Sequence, residues 1–313
     1  MHVAVIGGTG HIGSWLVPML RAAECDVTVI SRGERNPYHD DPAWGDVTGV
    51  ALDRKTTELE GIFGEEVAAL AADVVVDLIC FTPASCRMLA EALAERGTRL
   101  LHCGTIWVHG HTASPPTREE EALTPGCGYG RNKLAIQRYL LEEQRIVPAC
   151  VVHPGHITGP GWWPINPAGN LDPEVFRRLA RGEEVALPNF GLETLHHVHA
   201  ADVAGLFLRC IERWAAAEGE AFHAVAERPV TLRGYAEAVA AWFNQPPGLR
   251  FLSWEAWCEA EAPENAAVTF DHLRHSPHCS MMKARQRLEF SPCYSALDAA
   301  REAIEWKEAH NVF

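Results

Sequence analysis

Short apolar runs alternate with longer amphipathic stretches through the first half of the chain. The runs are rich in Val and Ile and apolar on both faces, which is typical of parallel strands covered by helices. Strands are predicted over residues 2–6, 26–30, 74–79, 100–103 and 149–153. Helices are predicted over residues 12–23, 65–72, 84–96 and 129–144. Because strands and helices in alternation build βαβ units, this order predicts an α/β fold with a doubly wound parallel sheet.

The pattern changes after His153, and residues 155–169 contain seven Gly and Pro. Residues 156–195 open with a segment rich in Gly and Pro that includes Trp162 and Trp163, which indicates an irregular, ligand-facing segment. Regular alternation resumes over 197–210, and further helices are predicted over 173–181, 232–242 and 296–308. We therefore predict a main domain of residues 1–155 plus about 196–226, and a smaller lobe of residues 156–195 plus about 227–313.

Composition and charge restrict the partners. The 313 residues are 47% hydrophobic and 22% charged, which excludes a disordered or fibrous protein. Asp and Glu number 41 against 27 Lys and Arg, and this formal charge of −14 repels nucleic acid and anionic membranes. The 10 Cys contain no CxxC pair, and the N terminus reads as a strand without a basic leader. We therefore expect a reduced, cytoplasmic chain with a small-molecule substrate, and neither nucleic acid nor membrane as partner.

A glycine-rich turn lies directly between the first predicted strand and the first predicted helix. Gly7 would allow the tight turn, Gly10 the approach of a pyrophosphate, and Gly13 close packing of helix on strand. The helix N terminus would then face the phosphates with free N–H groups and the positive end of its dipole. The residues predicted to hold the phosphates are Gly7, Thr9, Gly10, His11, Ile12 and Gly13. This turn predicts a Rossmann-type dinucleotide-binding domain.

The end of the second strand indicates which dinucleotide is bound. An acidic residue there would accept hydrogen bonds from the ribose hydroxyls of NAD, whereas this chain has Ser31 and Arg32. A guanidinium offers a charged fork to phosphate oxygens, so NADP is favoured, with NAD as the alternative. Asp53 and Arg54 follow the next apolar run and are predicted to lie beside the adenine ring, although a plain surface charge pair is an equal alternative.

A hydroxyl and a Tyr–Lys pair follow in the order that a hydride-transfer site needs. Thr105 comes after the strand at 100–103, and Tyr129 and Lys133 open the next helix four residues apart, on one face. A nearby ammonium and an oxidised nicotinamide ring would lower the phenol's pKa from about 10. Tyr129 could then exchange a proton with the substrate oxygen, while Lys133 holds the nicotinamide ribose and Thr105 fixes the substrate.

Two further sets of residues are weaker candidates. Ligands bind at the carboxyl ends of parallel strands, which predicts cofactor contacts at Ile79, Cys80, Pro154 and His156. Cys80 and Cys103 lack an evident base and are interpreted as small packing residues. Histidines also cluster in two groups, at positions 196, 197 and 199 and at positions 272, 275 and 278 beside Cys279. We predict no metal there, because Pro277 breaks the second group and adjacent strand residues point to opposite faces.

Taken together, these motifs resemble the extended short-chain dehydrogenases/reductases of the NAD-dependent epimerase/dehydratase family. Residues 104–110 (GTIWVHG) resemble the family's SSxxVYG segment, with Thr105 in the place of the catalytic serine. Residues 153–160 (HPGHITGP), 199–204 (HAADVA) and 283–292 (KARQRLEFSP) resemble its RPxxxxGP, HVxDVA and KAR..LGF.P elements. The resemblance implies a Rossmann domain, a small C-terminal substrate lobe and a homodimer formed by the long helices.

Departures from the family pattern concern the substrate. Ile106 and Trp107 stand where dehydratases of the family place acidic residues, which disfavours a 4,6-dehydratase. His109 and His153 replace the usual Tyr and Arg, so the substrate side is altered. The residues predicted to line the substrate are Trp107, His109, His156 and Trp162. A sugar or sugar nucleotide is the first hypothesis and a cyclic or aromatic ketone the alternative. A catalytically silent cofactor sensor or a nucleic-acid-binding relative is a third.

Overall fold

The computed structural model describes residues 1–313, which form thirteen strands and thirteen α-helices. The strands are β1 His2–Ile6, β2 Asp26–Ser31, β3 Thr48–Ala51, β4 Val74–Asp77, β5 Arg99–Cys103, β6 Ala149–Pro154, β7 His156–Thr158, β8 Val185–Pro188, β9 Thr194–Leu195, β10 His197–His199, β11 Ala221–Ala224, β12 Val230–Thr231 and β13 Leu249–Leu252. The helices are α1 Gly13–Ala22, α2 Arg54–Leu59, α3 Phe63–Ala69, α4 Pro83–Leu93, α5 Gly128–Arg138, α6 Glu174–Ala180, α7 Ala200–Glu212, α8 Trp214–Ala217, α9 Leu232–Trp242, α10 Trp254–Ala260, α11 Pro263–Leu273, α12 Met282–Leu288 and α13 Ala296–Ala309.

A seven-stranded parallel sheet forms the centre of the molecule, in the order β3–β2–β1–β4–β5–β6–β11. The chain runs outward in one direction from β1 to β3 and in the other direction from β4 onward. The strand order therefore reverses between β1 and β4, which is the point where ligands bind outside the carboxyl ends of such sheets. The predicted α/β, doubly wound fold is confirmed.

Helices cover both faces of this sheet and bury its apolar side chains. On one face α1 and α7 pack on the strands through residues such as Leu16, Leu20 and Phe207. On the other face α3, α4 and α5 form a second core that includes Phe63 and Leu89. Helices therefore exclude water from both faces of the sheet. This explains why the strand sequences are continuously apolar instead of alternating between apolar and polar residues.

The smaller lobe is built from short pieces. The two-stranded sheets β9–β12 and β8–β13 pack with helices that include α6, α9 and α10, whereas a third, β7–β10, packs against α7 and α13. Phe176, Tyr235 and Trp257 are fully buried in a core of its own. The exact division into two domains stays a prediction.

The predicted elements differ from the structure in two instructive places. β3 was not predicted as a strand, because the apolar run before Asp53 is short and most of the β3 side chains are exposed. The long helix predicted over 129–144 ends at Arg138 and continues as a π-helical turn, Tyr139–Glu143. By contrast, β1 and α9 have the predicted bounds. No helix combines the length and the apolar character that crossing a membrane requires.

Candidate active site

The turn between β1 and α1 has a geometry that only glycine permits. Gly7 has a φ of +81°, in the region that disfavours L side chains. A Cβ at Gly13 would lie 2.2 Å from the Gly8 carbonyl oxygen, so the start of α1 packs directly on the turn. A Cβ at Gly10 would lie 3.1 Å from the Gly7 oxygen. No side chain therefore covers the backbone N–H groups where a pyrophosphate would bind. The glycine turn fits a dinucleotide.

Two cavities of about 400 Å³ and 300 Å³ meet at this turn and form one cleft. They share the residues Gly7, Gly10, Ile79, Phe81 and Trp162. We call the first the outer compartment; it also contains Thr9, Ser31, Arg32, Arg35, Tyr38, Asp53, Arg54 and Lys55. We call the second the inner compartment; it also contains His11, Ile12, Cys103, Thr105, Tyr129, Lys133, Pro154 and Ile157. Most residues predicted for the cofactor therefore line one cleft.

Basic side chains surround the outer compartment. The Arg32 side chain is 53% exposed and forms an ion pair with Glu34 at 3.2 Å. Arg35 and Lys55, which the sequence analysis did not single out, line the same compartment and form no ion pair. These three cations give the compartment a positive rim at the end of β2.

Asp53 and Arg54 have structural partners of their own. The Asp53 carboxylate caps α2 by accepting the Thr56 backbone N–H at 3.0 Å, and this contact lowers the pKa of the carboxyl. The Arg54 guanidinium donates to Asp77 at 2.7 Å and to Glu58 at 2.6 Å. Both residues line the outer compartment, and Arg54 Nη2 is the one guanidinium nitrogen without a partner.

The three predicted catalytic side chains all line the inner compartment. Lys133 is 1% exposed, and its ammonium donates to the backbone carbonyls of Cys80 and Cys103, each at 2.6 Å. Cys103 is the last residue of β5 and Cys80 lies three residues after the end of β4, so the lysine ties α5 to the floor of the cleft. The Thr105 hydroxyl accepts the Trp107 backbone N–H at 3.3 Å.

Tyr129 differs from the sequence-based expectation. The residue is 41% exposed overall, yet burial of its hydroxyl end raises the phenol's pKa above the usual value, and the Thr105 hydroxyl acts in the opposite direction. The Lys133 ammonium lies 5.8 Å from the Tyr129 ring centroid and is bound to carbonyls. The protein alone therefore does not lower this pKa; a positively charged nicotinamide ring would supply that effect when bound.

A buried pair that the sequence analysis missed supports Thr105. The Thr105 backbone N–H donates to His153 Nδ1 at 2.9 Å. Because Nδ1 accepts, Nε2 carries the proton and donates to the Gln137 side-chain oxygen at 2.7 Å. Burial holds the His153 pKa well below its ordinary value, so the ring stays neutral. The only sequence signal was the position of Gln137, one turn after Lys133 on the same face of α5.

The four predicted substrate residues have different positions. Trp162 lines both compartments. Trp107 lies edge-on to Tyr129, with ring centroids 6.1 Å apart, and stacks on His275 at 4.5 Å. His109 is turned away from the cleft, because its Nε2 is 2.8 Å from His223 Nε2 in the interior. This position corrects the prediction for His109.

His156 and Cys80 also need correction. His156 is buried behind Trp107, next to His272, whereas its neighbours Gly155 and Ile157 line the inner compartment. Its ring therefore faces neither compartment, because side chains alternate along β7. Cys80 contributes its carbonyl to Lys133, and its thiol is fully buried outside the cleft.

The two histidine clusters meet at His196 and His278, whose ring centroids are 6.2 Å apart. His196 and His197 meet the backbone carbonyls of Ala226 and Ile165, and His199 meets the Glu302 carboxylate at 3.1 Å. The His272 ring meets the Gly169 carbonyl at 2.8 Å. Each ring is therefore held by a different part of the fold.

Comparisons with known proteins agree with this fold. The model of the NAD dependent epimerase/dehydratase family matches residues 3–224. The chloroplast stem-loop binding protein of 41 kDa b of Arabidopsis thaliana is 26% identical over 244 residues, which cover 76% of this chain and 62% of that protein. The 2'-dehydrokanamycin reductase of Streptomyces kanamyceticus is 32% identical over 137 residues, 44% of this chain and 37% of the reductase. The chain thus spans less than two thirds of the length of either relative.

A solved structure covers almost the whole chain. The dTDP-glucose 4,6-dehydratase of Bacillus anthracis str. Ames, in complex with NAD, superimposes with a TM-score of 0.74 at 17% identity. The match covers 99% of this chain and 97% of the dehydratase, which shows that the two share a fold. On the family match, the chain belongs to the NAD-dependent epimerase/dehydratase family.

Proposed function

We propose that this protein is an NADP(H)-dependent oxidoreductase that interconverts a secondary alcohol and a ketone. The observation that carries the proposal is the inner compartment, where Thr105, Tyr129 and Lys133 line the same cavity as the glycine turn. A hydroxyl, a phenol and an anchored ammonium are what proton exchange beside a dinucleotide requires. When bound, the cofactor supplies or accepts the hydride.

Each side chain has a separate role in this proposal. Tyr129 donates a proton to the substrate oxygen during reduction and accepts one during oxidation. Thr105 hydrogen-bonds the same oxygen and orients it. Lys133 is held by the carbonyls of Cys80 and Cys103; its third N–H would bind the nicotinamide ribose, and its ammonium contributes positive charge to the compartment.

The positive rim of the outer compartment supports NADP over NAD. A 2′-phosphate carries charge that Arg32, Arg35 and Lys55 would neutralise, and Arg35 and Lys55 have no carboxylate partner to displace. Adenine would lie beside Asp53, at the same end of the cleft.

A small uncharged ketone fits the inner compartment better than a sugar nucleotide does. The compartment has about 300 Å³, and its only Lys or Arg is Lys133, whose ammonium is already held. A nucleoside diphosphate placed there would lose its water without gaining a charged partner, which costs several kcal/mol. One relative is named as a reductase, which agrees with reduction of a ketone. A sugar nucleotide remains the alternative substrate.

Another relative is named for stem-loop binding, and nucleic acid binding is therefore a second candidate. The net charge of −14 argues against it, since an RNA backbone needs cationic contacts. The proposal also keeps the homodimer and the cytoplasmic location as expectations of the sequence analysis.

The decisive experiment replaces Tyr129 by Phe, which removes one hydroxyl. We expect turnover of a ketone panel with NADPH to fall by ~10²–10⁴-fold, while the dissociation constant for NADPH changes by less than about threefold. Met88→Leu, a change on α4 outside the inner compartment, is the matched control and keeps full activity.

Three outcomes separate the candidates. Activity of Tyr129→Phe within about threefold of the parent would remove the phenol from the chemistry. Turnover of UDP- or dTDP-sugars in place of ketones would select the sugar-nucleotide alternative. Tight binding of a stem-loop RNA, together with NADPH binding but no hydride transfer on any substrate, would select the nucleic-acid candidate.

A further inference from the structure

The ring of Trp107 lies next to the reacting end of the inner compartment. Its backbone N–H donates to the Thr105 hydroxyl at 3.3 Å. Its indole meets the Tyr129 ring edge-on, with 6.1 Å between the centroids and an angle of 82° between the planes. The side chain is only partly buried, although it packs against the core of the sheet. A large flat side chain therefore stands beside both groups that would bind the substrate oxygen.

The smaller lobe supplies the partner of this ring. His275 stacks on Trp107, with ring centroids 4.5 Å apart and planes only 9° from parallel. It lies two residues after α11, whose last residue, Leu273, belongs to the core of the smaller lobe. The ring of His272, which lies on α11, meets Trp107 edge-on at 5.4 Å. Two rings from the smaller lobe thus contact one ring from the part of the chain that forms the central sheet.

Backbone hydrogen bonds fix the position of His275 relative to Trp107. The loop that follows Trp107 and the segment that follows His275 run side by side. The Thr112 N–H donates to the His275 carbonyl at 3.1 Å, and the Thr117 N–H donates to the His278 carbonyl at 2.7 Å. Because these bonds join the two backbones, the main chain sets the distance at which the two rings meet.

The stack uses the flat face of His275. The ring's Nδ1 donates to the Asp271 carbonyl, whereas its Nε2 is buried and has no hydrogen-bond partner. Burial lowers the pKa of this ring, so it contacts Trp107 as an uncharged ring at neutral pH. A buried polar atom without a partner destabilises a fold. The position therefore holds a flat ring at a cost in stability, which is typical of residues that serve a site.

The inner compartment has little room beside this ring. It has about 300 Å³, which the substrate has to share with the nicotinamide. On another side of Trp107 lies the buried ring of His156, 6.3 Å away between centroids, and both of its nitrogens lack a hydrogen-bond partner. The indole therefore separates the compartment from a polar ring that would otherwise bind hydroxyl groups of a larger substrate.

We propose that His275 positions Trp107 as the wall that limits the size of the substrate in the inner compartment. The inference rests on the proposed function and adds a substrate class to it, a compact ketone with a single ring. Such a ketone fits between Tyr129 and the nicotinamide, whereas a fused second ring collides with the indole. His275 touches neither substrate nor cofactor and is a positioning residue, while Trp107 determines specificity.

Kinetics of the full-length protein with NADPH test the wall. The measured quantity is the ratio of kcat/KM for cyclohexanone to kcat/KM for tetralone, a fused two-ring ketone. Trp107→Ala should lower this ratio by about tenfold or more, because the indole no longer excludes the second ring. His275→Ala should lower it about threefold, and His275→Phe, which keeps a flat ring, should restore the parent ratio. His310→Ala is the matched control, since His310 stacks on Trp306 outside the cleft, and should change nothing.

Fluorine NMR of protein labelled with fluorotryptophan reports on the wall without turnover. Loss of one signal in Trp107→Phe identifies the Trp107 resonance among the 10 tryptophans. In His275→Ala this resonance should broaden or split, because the indole then samples more than one orientation. In His275→Phe it should remain single and sharp.

Three results overturn the proposal. These are an unchanged ketone ratio in Trp107→Ala, a single sharp Trp107 resonance in His275→Ala, and equal effects of His275→Phe and His275→Ala. Trp107→Leu gives the same comparison if Trp107→Ala does not fold. A parent that reduces neither ketone contradicts the proposed function instead. Broadening of the Trp107 resonance in His275→Ala but not in His275→Phe then still supports the positioning role.

Discussion

At the scale of single residues, charge is distributed unevenly along the cleft. Arg32, Arg35 and Lys55 stand around the outer compartment, whereas the inner compartment has Lys133 alone. Since the molecule as a whole carries −14, this local excess of positive charge is a specific feature of the cleft. Attraction of a phosphate is the direct physical consequence.

Arg32→Ala should therefore weaken NADPH much more than NADH. A charge-assisted hydrogen bond contributes roughly 1.5–3 kcal/mol, which predicts a selective loss of about ten- to hundredfold at low salt. Because the Arg32 side chain is half exposed, added salt should reduce the difference. Calorimetric titration of both cofactors into both proteins measures the effect.

Arg96→Ala is the matched control for that titration, because Arg96 lies at the opposite, amino-terminal end of the strands. It should leave both dissociation constants unchanged. Equal weakening of NADPH and NADH by Arg32→Ala, or a parent that already prefers NADH, would show that the rim does not hold a 2′-phosphate.

At the scale of elements, one face of α5 organises the site. This face presents Tyr129, Lys133 and Gln137 at intervals of four residues. They contact, in turn, the inner compartment, the backbone carbonyls at the floor of the cleft, and His153 on β6. One rigid helix thereby holds the proton donor Tyr129, the charged Lys133 and the acceptor Gln137. The hydrogen bond to Gln137 positions the ring that supports Thr105.

Gln137→Met should lower kcat about tenfold with little change in the dissociation constant for NADPH. The substitution keeps the side-chain volume but leaves His153 Nε2–H without an acceptor, which costs about 1–3 kcal/mol and frees the ring that supports Thr105. Gln137→Glu retains the acceptor and should restore most of kcat. Steady-state kinetics and urea unfolding of the three proteins separate the effect on the site from the effect on stability.

An unchanged kcat in Gln137→Met with reduced stability would make the pair purely structural. A parallel loss of kcat in Gln137→Glu would contradict the hydrogen-bond role and point to packing instead.

Elements were predictable where a local pattern specified them. The glycine turn and the Tyr129–Lys133 spacing are local, so their place in the cleft followed from strand order alone. The support of Thr105 by His153 was not predictable, since it joins residues 48 positions apart that no period connects. His109 and His156 were misplaced for the same reason, because the sequence cannot indicate which face of a short segment is turned inward.

At the scale of the whole molecule, buried neutral histidines couple stability to pH. Burial lowers the pKa of His11 and His196 to about 3, and of His109, His197, His199 and His223 to about 4. In the unfolded chain the same rings have a pKa near 6.5. Unfolding therefore takes up protons below pH ~6.5, and the stability that these residues contribute at neutral pH is lost as pH falls toward about 4.

The protein should consequently unfold in mild acid. Each histidine removes at most about 1.4 kcal/mol per pH unit, so six of them exceed a typical domain stability of 5–15 kcal/mol within roughly two pH units. Urea unfolding between pH 7.5 and pH 5 should show a steep loss of the free energy of unfolding. Replacing His109 and His223 together by Gln should reduce that slope by about a fifth, because burial also lowers the pKa values of His102, His153 and His156. A flat profile above pH 5 would mean that these rings are protonated in the folded protein.

The wall shared by the two compartments has a kinetic consequence. Gly7, Gly10, Ile79, Phe81 and Trp162 border both cavities, so a dinucleotide resting on the glycine turn becomes one side of the smaller cavity. A ketone that binds before the dinucleotide enters a cavity that lacks one side. A ketone that binds after the dinucleotide is held against the nicotinamide. We therefore expect an ordered reaction in which the dinucleotide binds first and dissociates last. The rate of dinucleotide dissociation should then limit kcat.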